Sequence, residues 1–154
     1  MPSSSDRTAL PQARQDVLQT WFRLARVYQK IQRQLDRILD EAGLTLPQFD
    51  VLANLGMSEG ITQQQLAERL LVTKGNVCGL LDRMESAGLV ERRPSSTDRR
   101  ANHLHLTEKG RSSLKAAFPV HLGLIQQCIG ALSTAEQTKL DELLGKIESA
   151  DFYQ

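Results

Sequence analysis

Two helix-start signals lie eleven residues apart in the middle of this 154-residue chain, at Thr62 and Thr73. Thr62 is followed three positions later by Gln65, the pattern of a capping box in which each of the two side chains binds a free backbone amide of the first turn. Thr73 is a second capping residue. Because only about two helical turns fit between these signals, the sequence predicts two short helices joined by a tight turn, the helix-turn-helix pattern.

The second of these helices has one apolar face and one polar face. The apolar residues Val77, Leu80, Leu81 and Met84 recur at helical spacing, which predicts that they are buried. The opposite face is predicted to present Gly75, Gly79, Asp82 and Ser86, flanked by Thr73, Lys74, Asn76, Cys78 and Arg83. Two exposed helical glycines cost about 1 kcal/mol each relative to alanine. Close approach to DNA would explain them, although a surface helix held by its neighbours also tolerates glycine.

A β-hairpin is predicted after Gly88, with strands at residues 89–93 and 102–106 and an exposed turn between them. This hairpin contains four arginines in a stretch of nine residues: Arg92, Arg93, Arg99 and Arg100. Residues 69–111 hold nine lysines and arginines against five acidic residues, whereas both flanking segments are slightly acidic. Such charge runs are often only a solvated face. Their position beside a helix-turn-helix favours contacts with phosphates or with a narrow minor groove.

The rest of the chain is predicted to be helical, and the fold class is mainly α with a small β-hairpin wing. Residues 1–10 are predicted to be a disordered lead, and Pro11 begins a long helix that Gly43 ends. A further helix opens at Leu44–Pro47 and is predicted to stop at Gly56, and Thr107 and Ser133 cap two more. The first helix carries a heptad seam too wide for so short a chain to cover, which predicts a second subunit. That seam consists of Val17, Trp21, Leu24, Tyr28, Ile31, Leu35 and Ile38.

No convergent set of acid, base and nucleophile is visible, so we expect no enzyme and no catalytic residues. His103 and His105 could form half of a metal site, but no third ligand is indicated, and Cys78 and Cys128 form no CxxC motif. We therefore expect no metal and no cofactor.

A membrane-spanning helix needs about 18 apolar residues, and no apolar run in this sequence approaches that length. The sequence therefore favours a cytoplasmic protein without membrane contact. A metal-sensing winged-helix protein and an interaction module that does not bind DNA remain alternatives.

Several of these segments together resemble the MarR family of bacterial regulators. The resemblance runs through Gln63–Ala67, Thr73–Val77 and Leu80–Val90 to Asp98-Arg99-Arg100 and Leu106-Thr107-Glu108-Lys109-Gly110. Residues 44–52 are similar to the family's second helix, and the likeness extends over the chain from about Gln15.

The resemblance implies a homodimeric regulator, commonly a repressor, bound to double-stranded DNA at a palindromic operator. Residues 11–154 would be one MarR-like domain, with dimerisation helices at 11–43 and 107–154 and a winged helix-turn-helix region at 45–106. The two recognition helices would read half-sites about 10 bp apart. Many family members release DNA when a small aromatic or phenolic effector binds. Trp21, Phe22, Tyr28 and Phe49 could line such a pocket or could be plain core.

The resemblance also divides the DNA contacts among residues. Lys74, Asn76, Cys78 and Arg83 would read base edges, because base contacts specify whereas phosphate contacts position. Arg99 or Arg100 would enter the minor groove, and Asp98 would orient the wing. The full set of predicted DNA-binding residues is Thr73, Lys74, Gly75, Asn76, Cys78, Gly79, Arg83, Arg93, Ser96, Arg99 and Arg100.

One branch of the family senses peroxide through a cysteine near the start of the first long helix, and this chain has no cysteine there. Cys78 could be either a redox-sensitive thiol or a small tolerated side chain.

Overall fold

The computed structural model describes residues 12–94 and 102–150. The chain divides into two compact units, residues 1–34 and residues 35–154. In chain order the elements are α1 (Gln12–Glu41), α2 (Leu46–Met57), β1 (Ile61–Thr62), α3 (Gln63–Arg69), α4 (Lys74–Ser86), β2 (Val90–Pro94), β3 (Asn102–Leu106), α5 (Glu108–Ile129) and α6 (Thr134–Glu148). The mainly α fold with a small antiparallel sheet is as the sequence predicts.

The described part of the first unit is helix, and its heptad positions Val17, Trp21, Leu24 and Tyr28 are exposed, whereas Ile31 is half-buried. Val17 is 70% exposed, and Trp21, Phe22 and Tyr28 are each exposed by more than half. A continuous apolar stripe on a helix surface is stable in water only when another surface covers it.

Side-chain caps start α2 to α6 where the sequence predicts helix starts. The Thr62 hydroxyl accepts a hydrogen bond from the Gln65 amide at 3.2 Å, and the Gln65 side chain accepts one from the Thr62 amide at 2.8 Å. Ser133 and Glu136 form the same reciprocal box before α6. Thr45, Thr73 and Thr107 cap α2, α4 and α5. These local signals fix the helix starts because each satisfies amides that no preceding turn can reach.

Three helices end in the same left-handed motif, but one of them uses leucine where the other two use glycine. Gly43 after α1 and Gly88 after α4 have φ values of 70° and 69°, whereas Leu71 after α3 has φ 53°. In each case the left-handed residue and the next one donate amide hydrogen bonds back into the last helical turn. For leucine this backbone region is strained by about 1–2 kcal/mol.

A buried core in the second unit joins α2, α3, α4, the sheet and the first half of α5. The side chains of Val77, Leu81 and Met84 on α4 are fully buried, and Leu80 packs against them from a half-buried position. The predicted inward face of this helix is therefore confirmed. Its core partners include Leu52, Leu55, Leu66, Val90, Leu104 and Leu106.

The sheet has three antiparallel strands in the order β1-β3-β2, one more than the predicted hairpin. Ile61 pairs with Leu104 on one side of β3, and Val90 pairs with Leu106 on the other. The additional strand β1 is only two residues long. Its short sequence has no periodicity of its own, so only the pairing with β3 defines it.

Gly56 does not end α2, contrary to the prediction, because the helix continues to Met57 and its cap is Ser58. A Cβ atom at Gly56 would lie 2.5 Å from Cδ2 of Leu114 on α5. The glycine therefore permits close packing of α2 on α5, and the chain instead turns at Gly60, where φ is +77°.

None of the described helices is by itself long and apolar enough to cross a membrane. The pair α5 and α6 reaches the required length and composition only together, and the chain bends by 99° between them.

Replacing Leu71 by glycine is expected to stabilise the protein by roughly 0.5–1 kcal/mol. The change removes left-handed strain of about 1–2 kcal/mol, and the greater freedom of glycine in the unfolded chain offsets about 0.5–1 kcal/mol. Little packing is lost, because Leu71 is 91% exposed. Thermal unfolding at a fixed protein concentration measures the difference as a rise in Tm of about 1–4 °C.

The matched control is Arg69→Gly, two residues earlier and also exposed, in the last turn of α3. There glycine is expected to cost about 1 kcal/mol, because the residue is helical. A decrease in Tm of equal size in both variants would show that Leu71 is unstrained.

Candidate nucleic-acid interface

The polar face of α4 is open to solvent along its whole length. Five side chains on this face are exposed, as predicted: Thr73, Lys74, Asn76, Cys78 and Arg83. Of the two glycines among them, Gly75 is exposed and Gly79 is half-buried. The Thr73 hydroxyl accepts a hydrogen bond from the Asn76 amide at 3.3 Å, so the first turn is fixed without using the Asn76 side chain. The helix thus presents its polar side chains from a backbone held by a cap at one end and a core along one face.

Among the described residues, no close contact requires glycine on this face of α4. A Cβ at Gly75 would meet no atom within 4 Å, and one at Gly79 would meet only Nη1 of Arg83, at 3.7 Å. Both glycines leave the helix backbone accessible from outside. A partner could therefore approach the backbone of α4 more closely here than at any residue with a side chain.

Arg92 belongs to the structural frame of the interface, contrary to its prediction as a phosphate ligand. Its guanidinium forms ion pairs with Asp82, at 2.7 Å, and with Glu85, both on α4. Its backbone amide also donates to Glu85, at 3.2 Å. Burial lowers the pKa of Arg92, but the two carboxylates outweigh it and raise that pKa above its ordinary value. The strand β2 is thereby tied to α4.

Strand alternation accounts for the orientation of Arg92. Val90 is buried and pairs with Leu106, and two residues later Arg92 pairs with the buried Leu104. Residues two apart lie on the same face of a strand, so Arg92 points to the side where α4 packs. Arg93 lies on the other face, is more than half exposed and forms an ion pair with Glu91.

A second cluster ties the sheet to α5 through Glu59. Its carboxylate accepts a hydrogen bond from the Leu106 amide at 3.3 Å and forms an ion pair with Arg111, which in turn donates to the Leu106 carbonyl at 3.0 Å. His105 approaches the same carboxylate at 3.6 Å, and His103 lies 2.5 Å from the Gly60 carbonyl. Both histidines are half-buried against this turn.

Within residues 12–94 and 102–150, no three histidine, cysteine, aspartate or glutamate side chains form a group that could hold a metal ion.

The aromatic residues predicted for an effector pocket fall in two environments. Trp21, Phe22 and Tyr28 are exposed on the first unit. Phe49 is buried in the core of the second unit and stacks on His121, with ring centroids 4.5 Å apart. Burial lowers the pKa of that histidine, and the charge of Asp50 opposes the shift. The predicted wing residues Ser96, Asp98, Arg99 and Arg100 lie outside the described residues.

A short capped helix, a second helix with an exposed polar face and a three-stranded antiparallel sheet define the second unit as a winged helix-turn-helix. Proteins of this class insert the second helix into the major groove of DNA.

Comparison with known proteins identifies the family. The family model described as MarR family matches residues 42–101. The HTH-type transcriptional regulator PecS of Dickeya dadantii is 31% identical over 128 residues, which cover 81% of this chain and 77% of PecS. A mutant of Escherichia coli MarR complexed with operator DNA is 30% identical, with a TM-score of 0.78 over 86% of this chain and 95% of that one.

A third relative is the Mycobacterium tuberculosis MarR family protein Rv2887, in complex with p-aminosalicylic acid. It is 29% identical, with a TM-score of 0.64 over 83% of this chain and 97% of that one. This chain belongs to the MarR family of transcriptional regulators, and it is a DNA-binding regulator of MarR type. Its relatives are regulators and not enzymes.

Removing the Arg92 side chain is expected to lower the free energy of unfolding by about 0.5–1 kcal/mol, because two carboxylates on α4 lose their partner but remain exposed to water, which screens the interaction. Urea unfolding of Arg92→Met measures this loss. The matched control is Arg83→Met on the same helix, where an exposed side chain is expected to contribute less than about 0.5 kcal/mol. Equal losses in the two variants would contradict the structural role of Arg92.

The contribution of Glu59 to stability is expected to depend on pH. Burial raises the pKa of Glu59, but the Leu106 amide and the Arg111 guanidinium outweigh it, and the pKa lies below its ordinary value of 4.5. Such a group stabilises the fold above its unfolded pKa and loses this effect as pH falls through its folded pKa. Thermal unfolding should therefore show a lower Tm for Glu59→Gln than for the wild type at pH 7, and a smaller difference below about pH 4.

The matched control for this pH series is Glu108→Gln, because Glu108 is almost fully exposed and lies 4.0 Å from the same arginine, Arg111. We expect this variant to keep the wild-type Tm within error at every pH. A difference for Glu59→Gln that stays constant between pH 7 and pH 3 would rule out the ionised carboxylate as its cause.

Proposed function

We propose that this protein is a dimeric repressor of a palindromic operator in the bacterial cytoplasm and that a small aromatic effector relieves repression. The observation that carries this proposal is the exposed polar face of α4 on a fully buried apolar stripe. Such a helix can enter a groove without losing its own packing. The likeness to MarR bound to operator DNA supports an orientation in which α4 enters the groove.

In this proposal the first half of α4 reads bases. Lys74 and Asn76 lie in its first turn, where recognition helices reach base edges, and Cys78 follows on the same side. An asparagine can bind adenine through two hydrogen bonds and a lysine can bind guanine, each with about 1–3 kcal/mol of discrimination. Gly75 and Gly79 let the backbone of α4 approach the groove. Thr73 contacts a phosphate at the start of α4, and Arg83 adds a base contact in the second half of the helix.

The wing supplies a second set of contacts in this proposal. Arg93 is exposed at the end of β2, and its pairing with Glu91 can exchange for a phosphate. Arg99 or Arg100 enters the minor groove, Ser96 binds the backbone and Asp98 orients the turn. The Arg92 and Glu59 clusters support this assignment, because they fix both strands of the wing to α4 and α5.

Exposed apolar side chains support the proposed dimer. They lie on the helices at both ends of the chain: Val17, Trp21, Phe22, Val27 and Tyr28 on α1, Phe118, Val120 and Leu122 on α5, and Leu143, Leu144 and Ile147 on α6. A second copy of the chain would bury them. A dimer would also place two recognition helices about one turn of DNA apart, as a palindrome requires.

The effector proposal rests on the relative that binds p-aminosalicylic acid and on the aromatic residues Trp21, Phe22 and Tyr28, which would line the proposed dimer interface, where the effector would bind between the two copies. Flat aromatic rings stack on such side chains. Phe49 is less accessible, because its ring is held in the core against His121.

The proposed function is tested by selecting duplexes from a random-sequence library and measuring affinity for the enriched sequence by gel shift. We expect a palindrome, two chains per duplex by sedimentation, and a binding constant that falls with salt by a slope of about −0.9 per phosphate neutralised. Enrichment of no sequence, or one chain per duplex, would contradict a dimeric operator-binding protein.

The wing assignment is tested separately with the Arg99→Ala/Arg100→Ala double variant on the same duplex. Loss of two phosphate or minor-groove contacts is expected to weaken binding at least tenfold and to reduce the salt slope. The matched control is Lys139→Ala/Lys146→Ala, which removes the same charge from exposed positions on α6. Equal binding by the two double variants would exclude the wing arginines from the interface.

A further inference from the structure

The first turn of α5 is bonded directly to the end of the recognition helix. The Thr107 hydroxyl donates to the Gly88 carbonyl at 2.6 Å and lies 3.2 Å from the Leu89 carbonyl, and the Thr107 amide also donates to Leu89, at 3.2 Å. The ammonium group of Lys109 donates to the Ala87 carbonyl at 2.7 Å. Three successive carbonyls after α4 therefore have partners on one turn of another helix.

Gly110 brings the two backbones into contact at the same place. It is buried, and a Cβ built there would lie 2.0 Å from the Leu89 carbonyl oxygen and 3.1 Å from its carbon. No side chain fits at that distance, so any residue with a Cβ would force the backbone of α5 away from residue 89. Glycine is required here by close approach and not by its φ angle.

These contacts satisfy more than the hydrogen-bonding needs of a helix end. The left-handed Gly88 already closes α4 through amide bonds from Gly88 and Leu89 to Glu85 and Met84. An exposed lysine that holds one geometry also loses side-chain entropy. The additional bonds of Thr107 and Lys109 fix the direction of α5 relative to α4.

We propose that Thr107, Lys109 and Gly110 form a joint through which the C-terminal helices set the angle of the recognition helix, and hence the half-site spacing that the protein accepts. These three residues are called the α4–α5 joint below. They are positioning residues that do not contact DNA. The inference rests on the proposed dimer, because only a dimer reads a spacing.

The length of α4 makes this joint sensitive. Its 13 residues span about 20 Å, and the joint holds its C-terminal end while Lys74 and Asn76 lie at the other. A tilt of about 10° at the joint would move the first turn by about 3.5 Å, which is about one base-pair step along DNA. A small change in how α5 and α6 are held would therefore move the helix out of register with its bases.

The test measures affinity against half-site spacing in the wild type, Lys109→Ala, Lys109→Arg and Gly110→Ala. The probes are the palindrome selected by the wild type and copies with one base pair inserted or removed between the half-sites. We expect the wild type to lose at least tenfold in affinity on either change. Lys109→Ala should bind the original palindrome about three- to tenfold more weakly and should discriminate spacings less than threefold.

Three comparisons separate positioning from other roles of Lys109. Lys109→Arg keeps a donor at the same place and should recover most of the spacing preference. Lys115→Ala removes the same charge from an exposed position on α5 and should leave the preference unchanged. Because Lys109 binds a carbonyl, its removal should also leave the salt slope unchanged, whereas loss of a phosphate ligand would reduce it by about 0.9.

The inference is overturned if Lys109→Ala keeps the wild-type spacing preference or if its salt slope falls by about 0.9. Gly110→Ala, checked by circular dichroism, should reproduce the broadened spacing if it folds, and a folded variant with wild-type preference counts against the joint. A wild type that binds the selected palindrome as a single chain instead contradicts the proposed dimer and removes the basis of this inference.

Discussion

The fully buried stripe of Val77, Leu81 and Met84 is the constraint on which the rest of the second unit depends. It holds α4 against α2, α3 and the sheet, so the opposite face of the helix needs no contacts of its own. The Thr73 cap, the ion pairs of Arg92 and the carbonyl contacts of Thr107 and Lys109 then fix the ends and the rotation of α4. A helix held in this way loses little freedom on binding DNA, and most of the binding energy remains for recognition.

Much of this organisation could be predicted from the sequence, because its signals are local. Thr62 and Thr73 cap amides three residues away, and the apolar stripe of α4 repeats at helical spacing. The features that sequence reasoning missed depend on distant partners. The strand β1 exists only through β3, and Gly56 is explained only by Leu114 on α5. Arg92 was placed on DNA by its charge, although the buried Val90 two residues earlier was a signal that it points inward.

The two strained or crowded backbone positions have different origins. Leu71 occupies a left-handed conformation that any glycine would adopt at lower cost, and its side chain is almost fully exposed. Gly110 has an ordinary φ and is fixed by the carbonyl of Leu89. The first position limits stability, whereas the second limits how the C-terminal helices can be arranged. Neither residue lies on the exposed polar face of α4.

The open space above Gly75 and Gly79 has a consequence for how this protein can diverge. Most positions on a recognition helix already hold a side chain, so a change of specificity must first remove one contact before it adds another. At Gly75 a Cβ atom would meet no atom of the described residues within 4 Å, and the helix would gain stability from the loss of glycine. Variation at Gly75 is therefore limited by how closely the backbone of α4 must approach a partner, and not by the packing of the fold.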